Sequence, residues 1–227
     1  MNKDSTADDR AAVQKEPHWP AVAASLAVAG LYLALSPVLT AGPRWLFPGI
    51  VAVLVIAVST TRHLRLQKAN HLLGTAAGAI LTLFLLGSIF LLVRELPTRS
   101  ESPTALLRSA MALWASNILV FAQWYWRLDA GGPGHRDRRR GQGIRHQDGA
   151  FLFPQMSLSK DLREEMGESN WSPNFWDYLF LSFTTSTAFS PTDTLPLSRW
   201  AKILMMVQAL ISLLVITLLA ARAVNIL

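Results

Sequence analysis

Residues 182–196 read SFTTSTAFSPTDTLP, and this polar stretch separates two apolar segments of very different length. The segment that runs into it, NFWDYLFLSFTTST at residues 174–187, is mostly apolar and aromatic but has only fourteen residues. A helix of that length extends about 21 Å, roughly two thirds of a hydrocarbon core about 30 Å thick. The apolar segment that follows, at residues 198–225, is long enough to cross. We therefore expect residues 174–187 to enter a membrane and turn back at the polar stretch.

Four further apolar runs precede this unit, at residues 19–35, 45–61, 71–93 and 105–126. Each approaches or exceeds the roughly 17 to 25 residues that a transmembrane helix needs. Trp19, Trp45 and Trp200 lie at the ends of such runs, where aromatic rings favour the headgroup layer. The sequence therefore predicts an all-α membrane protein with about five transmembrane helices and one short re-entrant helix that resembles a pore helix. We expect a multi-pass protein of the bacterial inner membrane.

Composition and charge exclude several classes of function. Charged residues make up 16% of the 227-residue chain, against about 25% in soluble domains. The net charge of +6 comes from Arg and Lys in loops between apolar runs, a pattern typical of membrane proteins and not of nucleic-acid binding. The chain has no Cys, its five His lack ligand spacing, and no catalytic motif appears. We expect neither an enzyme nor a resident metal or cofactor.

The sequence divides into four parts. A disordered tail (residues 1–17) precedes a four-helix transmembrane bundle (residues 18–127) and a polar linker rich in Arg and Gly (residues 128–170). The pore-loop-like unit occupies residues 171–227, with the re-entrant helix at 174–187, a polar loop at 188–197 and the last transmembrane helix at 198–225. Within the bundle, Gly74 and Gly78 lie one helical turn apart, and we expect them to serve packing inside one chain.

The polar stretch carries the candidate site. Backbone that leaves the helical conformation at membrane depth must be shielded from lipid or face water. The negative end of the short helix points at this loop and favours a cation there, so a transiently bound monovalent cation is the one ligand we expect. The candidate residues that line this path are Thr184, Thr185, Ser186, Thr187, Ala188, Phe189, Ser190, Pro191, Thr192 and Asp193.

Residues 180–226 resemble the pore helix, filter and inner helix of two-transmembrane potassium channels. In that family a stretch of the form S-F-T-T-x-T-T-V-G-Y-G-D-x-x-P leads into the inner helix. Without gaps, this chain matches it at seven positions: Ser182, Phe183, Thr184, Thr185, Thr187, Asp193 and Pro196. The resemblance covers about a fifth of the chain and implies a homotetramer with one central pore. The chain as a whole also resembles bacterial integral membrane proteins that carry such a carboxy-terminal half.

The filter itself departs from the family. Where the family has T-V-G-Y-G, this chain has the five residues 188–192, AFSPT. Both glycines that allow successive carbonyls to point inward are replaced, and Pro191 fixes φ and lacks an amide donor. Since potassium selectivity depends on rings of such carbonyls, we do not expect it here.

Four other polar residues lie in apolar segments. Asp177 is in the first turns of the short helix, where a carboxylate is stabilised by the helix dipole, and we favour a structural role over ion binding. Asn117 and Gln123 in the fourth run, and Gln208 in the last, are predicted to hydrogen-bond between helices. The alternative is that these three residues line a transport cavity.

Three functional hypotheses remain open on the sequence alone. The first is a cation channel without classical potassium selectivity, formed by a homo-oligomer in the lipid bilayer. The second is a non-conducting membrane scaffold or assembly protein, which fits the lost glycines, and the third is a small-solute transporter. The orientation is also open, because the distribution of basic residues places the Arg-rich linker in the cytoplasm, whereas the channel resemblance places it outside.

Overall fold

The computed structural model describes residues 16–40, 42–64, 66–95, 102–142, 146, 148–168, 171–187 and 193–224. Over these residues the chain forms nine α-helices and one pair of short strands. The helices are α1 (Trp19–Leu33), α2 (Leu46–His63), α3 (Gln67–Glu95), α4 (Pro103–Leu128), α5 (Pro133–Gly141), α6 (Pro154–Ser157), α7 (Lys160–Glu165), α8 (Phe175–Thr187) and α9 (Arg199–Val224). The strands β1 (Phe151–Leu152) and β2 (Leu195–Pro196) pair antiparallel, with Phe151 opposite Pro196.

The structure is nearly all-α, as predicted, and four of its helical segments are long and apolar enough to cross a membrane. They are Leu46–His63, Gln67–Glu95, Thr104–Gly131 and Arg199–Ala220. The first predicted run gives a shorter helix, because α1 ends at Leu33 and a 3₁₀ turn follows at Pro37–Leu39. Pro37 disfavours helical backbone at the residue before it, so the helix closes ahead of the proline.

Helix α4 lies at the centre of the fold and contacts α1, α3, α8 and α9. It begins at Pro103, and the Ser102 side chain caps it by accepting a hydrogen bond from the amide of Ala105. The glycines of α3 face α4 as expected: a Cβ atom at Gly74 would meet the Arg127 guanidinium, and one at Gly78 would lie 3.2 Å from the Trp124 ring. The prediction that these glycines serve packing within one chain is confirmed.

Helix α8 runs antiparallel to α4 and covers about half of its length. Its first residue, Phe175, packs on Trp126 near the end of α4, with ring centroids 5.8 Å apart. Its Phe183 packs on Trp114 near the middle of α4, with ring centroids 6.4 Å apart. The predicted start at residue 174 is correct to one residue, since the Asn174 side chain caps the helix by accepting from the amide of Trp176.

Helix α9 begins at the same end of α4 as α8 does. The ring of Phe151 in β1 has its centroid 6.4 Å from that of Tyr178 in α8 and 5.8 Å from that of Trp200 in α9. The strand pair joins this region to β2, just before α9. The described residues therefore run from the end of α4 to the level of its middle at Thr187. At Leu195 the chain again lies near the end of α4.

The segment predicted as a polar linker contributes to the core. Phe151 and Phe153 are fully or nearly fully buried, and so are Asp129 and Arg136. Its many glycines and arginines predict flexibility by composition, but two aromatic anchors and two buried polar anchors attach the described part to α4 and α8. The predicted disordered tail, residues 1–17, is wrong at its end, because Glu16 is buried beside Arg136. Residues 1–15 lie outside the described part of the chain.

Candidate functional site

Helix α8 has one buried polar face and one exposed aromatic face. Ser182, Thr185 and Ser186 point toward α4 and α9 and are buried. The opposite face consists of Trp176, Phe180, Phe183 and Thr187, and the three aromatic residues are about half exposed or more. The spacing of three to four residues on each face is that of an amphipathic helix. The structure thus turns part of the predicted hydroxyl cluster into the interior of the chain.

Gln208 of α9 is the centre of a buried hydrogen-bond network. Its Nε2 donates to the Ser182 carbonyl at 2.8 Å, and it lies 2.7 Å from both the Ser182 and the Ser186 hydroxyl oxygens. Its Oε1 accepts from the Tyr125 hydroxyl of α4 at 2.5 Å. One side chain therefore joins α4, α8 and α9. The prediction that Gln208 hydrogen-bonds between helices is confirmed.

The network continues toward the middle of the membrane helices. The Ser212 hydroxyl donates to the Ser186 carbonyl at 2.6 Å and accepts from Trp114 Nε1 at 3.1 Å. Asn117 Nδ2 donates to the Gln208 carbonyl at 3.3 Å, while its Oδ1 has no partner among the described residues. The carbonyls of Ser182 and Ser186 in α8 accept hydrogen bonds from side chains of α9. These bonds hold α8 against the middle of α9, while its opposite face stays exposed.

The threonine hydroxyls of α8 bond to their own helix. Thr184 donates to the carbonyls of Phe180 and Leu181, and Thr185 donates to that of Leu181 at 2.7 Å. Thr187 donates to the carbonyl of Phe183 at 2.9 Å. Such bonds to the carbonyls three or four residues earlier leave the oxygen lone pairs as the polar atoms that another ligand could use.

The remaining predicted residues divide into three groups. Ala188, Phe189, Ser190, Pro191 and Thr192 lie outside the described residues. Asp193 is exposed just ahead of β2. Asp177 has the expected structural role, because its Oδ2 accepts from the amide of Asn174 at 2.7 Å at the start of α8.

The three amides that the transporter alternative places in one cavity are not brought together. Asn117 contacts Gln208, but Gln123 lies on a different face of α4, where its Oε1 accepts from the Ser25 hydroxyl of α1 at 3.0 Å. Asn117 and Gln123 therefore each join two helices, while Gln208 joins three. The prediction of interhelical hydrogen bonds also holds for Asn117 and Gln123.

Asp129, which follows the last turn of α4, holds the linker and α8 in place. Its Oδ2 accepts from the Tyr178 hydroxyl at 2.6 Å, and its Oδ1 accepts from the amide of Ala150 at 2.5 Å. His146 Nε2 lies 3.4 Å from the same carboxylate. Sequence reasoning missed this residue; the available signal was an acidic side chain directly after an apolar run that ends in WYWRL.

A buried ion pair lies next to Asp129. Arg136 of α5 donates to both oxygens of Glu16 at 3.1 Å and to the carbonyls of Trp126 and Asp129 at 2.9 and 2.8 Å. Trp126 Nε1 also donates to Glu16. A bidentate arginine with its other donors satisfied is the arrangement in which burial of two charges is tolerated. This pair attaches the segment before α1 to the end of α4.

Comparison of the chain with family models, with curated proteins and with solved structures finds no match.

Proposed function

We propose that this chain is a multi-pass membrane protein in which α8 enters the bilayer and the chain returns to the same side, and that several copies assemble into a cation-conducting homo-oligomer. One observation supports this above all others. Both α8 and α9 begin beside the end of α4, and α8 ends beside its middle. A short helix, a return segment and a full-length helix in this order make up a pore-loop unit.

The electrostatics of α8 favour a cation at the return. The last carbonyls of a helix carry a partial negative charge, and α8 directs this end toward residues 188–192. In a low-dielectric surrounding such a partial charge acts more strongly than in water. Thr187 occupies the last turn and is exposed in the single chain. We assign the path to Thr187 and the return segment, because Ser182, Thr185 and Ser186 are used inside the chain.

The outer surface of the unit is suited to both lipid and other copies. Helix α9 exposes large apolar side chains along its length, among them Ile203, Met206, Leu210 and Leu213. By the channel resemblance, four copies would surround one axis. We further propose the bacterial inner membrane as the location, on the sequence resemblance alone.

Tracer uptake by proteoliposomes tests conduction. Purified protein is reconstituted, and the uptake of rubidium or sodium ions is measured against protein-free vesicles. We expect uptake with the wild type and a reduction of several fold with Thr187→Val, which removes the hydroxyl at the end of α8. Thr75→Val in α3 is the matched control, since Thr75 also donates to the carbonyl four residues earlier, at 2.9 Å. Uptake no greater than that of empty vesicles contradicts the proposal, and so does an equal effect of the two variants.

A second candidate function is a non-conducting membrane scaffold. The observation that favours it is the set of hydrogen bonds from Gln208 and Ser212 to Ser182 and Ser186, which fixes α8 against α9 within one chain. The mass of the particle in lipid nanodiscs separates the two candidates. A tetramer fits conduction around a shared axis, whereas a monomer with no ion uptake favours the scaffold.

A further inference from the structure

A cavity of about 360 Å³ lies between α1, α2, α3 and α4, at the end of the bundle where α5 begins. It is separate from the seam of α4, α8 and α9 that carries the Gln208 network. Its polar wall includes Ser25, Arg62, Asn70 and Arg127, and its apolar wall includes Val55 and Ala77. All of its lining residues belong to the described part of the chain, and none of them is Asp or Glu.

Two cations line this cavity, and neither makes an ion pair with a described residue. Among the described residues, neither Arg62 nor Arg127 makes a hydrogen bond or an ion pair. Arg127 contacts the Trp126 ring, with its Cζ 5.8 Å from the ring centroid. Two carboxylates act on Arg62 from a distance: Glu16, which is paired with Arg136, and Asp137, which accepts from the Glu16 amide at 2.9 Å. A partly buried guanidinium without a counter-charge is costly unless an anion reaches it.

The surroundings of Arg127 hold its guanidinium at the cavity. Gly74 of α3 lies directly against it, and a side chain at that position would collide with the guanidinium. Burial, together with the charges of Arg62, Arg127 and Arg136, holds the pKa of His18 at about 3, so this lining histidine is neutral near pH 7. The side chains that line the cavity therefore carry a net positive charge, while Asp137 acts on Arg62 from outside the lining.

We propose that this cavity binds a phosphate oxyanion, with Arg127 and Arg62 as the charged ligands. A guanidinium presents paired N–H donors that match the oxygens of a phosphate group. The apolar wall beside the arginines favours a phosphate that carries an acyl chain, as an anionic lipid does. The position of the cavity at the ends of α2 and α4 agrees with the depth at which lipid headgroups lie. The same site chemistry would accept free phosphate.

Thermal unfolding in a neutral detergent tests this site. The ligands are short-chain phosphatidylglycerol and inorganic phosphate, with short-chain phosphatidylcholine as the zwitterionic control. We expect phosphatidylglycerol to raise the Tm of the wild type, and Arg127→Gln to weaken its binding roughly tenfold to a hundredfold. The matched control is Arg108→Gln, the same change at an exposed position near the other end of α4, which should leave binding unchanged. A shift with inorganic phosphate of equal size identifies the free anion as the ligand.

Two further results make the test decisive. Without ligand, Arg127→Gln should unfold at the same temperature as the wild type or higher, because it removes an unpartnered charge. Ala77→Phe, which occupies the cavity and retains both arginines, should weaken the binding of phosphatidylglycerol. The proposal is overturned if neither anion shifts the Tm of the wild type, or if Arg127→Gln and Arg108→Gln bind phosphatidylglycerol equally well.

Discussion

The seam between α4, α8 and α9 and the cavity between α1 and α4 both place polar groups among apolar helices, but they treat them in opposite ways. In the seam, the Gln208 amide uses its donors and its acceptor within one chain. At the cavity, the Arg127 guanidinium has no hydrogen-bond partner among the described residues. A network in which donors and acceptors are paired fixes helices relative to one another. A guanidinium without a hydrogen-bond partner keeps its donors available for a ligand. The comparison separates residues that build the fold from residues available for binding.

The largest expected effect comes from breaking the paired arginine. Arg136→Met should lower the free energy of unfolding by about 3–5 kcal/mol, because it leaves the Glu16 carboxylate buried with Trp126 Nε1 as its one remaining donor among the described residues. Unfolding by denaturant in detergent micelles measures the loss. The double variant Glu16→Gln with Arg136→Met should lose less than the sum of the two single variants. Additive losses would show that the pair does not act as a unit.

A smaller loss is expected in the seam. Gln208→Leu should lower the free energy of unfolding by about 2–3 kcal/mol, because the Tyr125 hydroxyl and the Ser186 hydroxyl lose their partner in a buried place. Thr217→Ala, at an exposed position of α9, is the control and should change stability by less than about 0.5 kcal/mol. Equal stabilities of the two variants would mean that α8 is held mainly by apolar contacts.

The smallest effect concerns pH at the edge of the cavity. The pKa of His18 is about 3 in the folded chain against an ordinary value of 6.5, so between these values the unfolded chain binds a proton that the folded chain does not. Folding stability therefore falls as the pH is lowered through 6.5. Replacing His18 by Gln should remove this part of the pH dependence, worth about 1–2 kcal/mol at pH 5.

The measurement is the difference in unfolding free energy between the wild type and His18→Gln from pH 8 to pH 5. His135→Gln, at an exposed position of α5, is the control variant. If the difference for His18→Gln stays constant over this range, the histidine is not held neutral by its burial and the neighbouring arginines. The positive character assigned to the cavity would then lose one of its supports.

Much of the fold could be predicted because apolar length is a local property. The runs at residues 45–61, 71–93 and 105–126 became α2, α3 and α4, and the short run became α8 with its predicted end at Thr187. The structural role of Asp177 followed from its place in the first turn of that helix. The linker was harder, since its composition predicts flexibility and only distant contacts show that Phe151 and Asp129 are buried.

The candidate site could be predicted only in part. Sequence reasoning selected the hydroxyls of residues 184–187 as one polar group, but the helical periodicity divides them between two faces, and Ser186 is buried while Thr187 is exposed. The local sequence does not indicate which face of α8 packs against α9. The same holds for Asn117, Gln123 and Gln208, which all are polar residues within apolar runs but join different helices.

By itself, the sequence determined that this protein is a helical membrane protein with a half-length helix ahead of its last span, because the length of an apolar helix is set by the rise per residue and the thickness of the bilayer. Only the tertiary structure decided which polar groups are satisfied. Arg127 and Arg136 are nine positions apart and chemically identical, yet one meets a carboxylate that lies 120 residues away in sequence and the other faces a cavity. Pairing depends on which helices meet, and no local pattern contains that information.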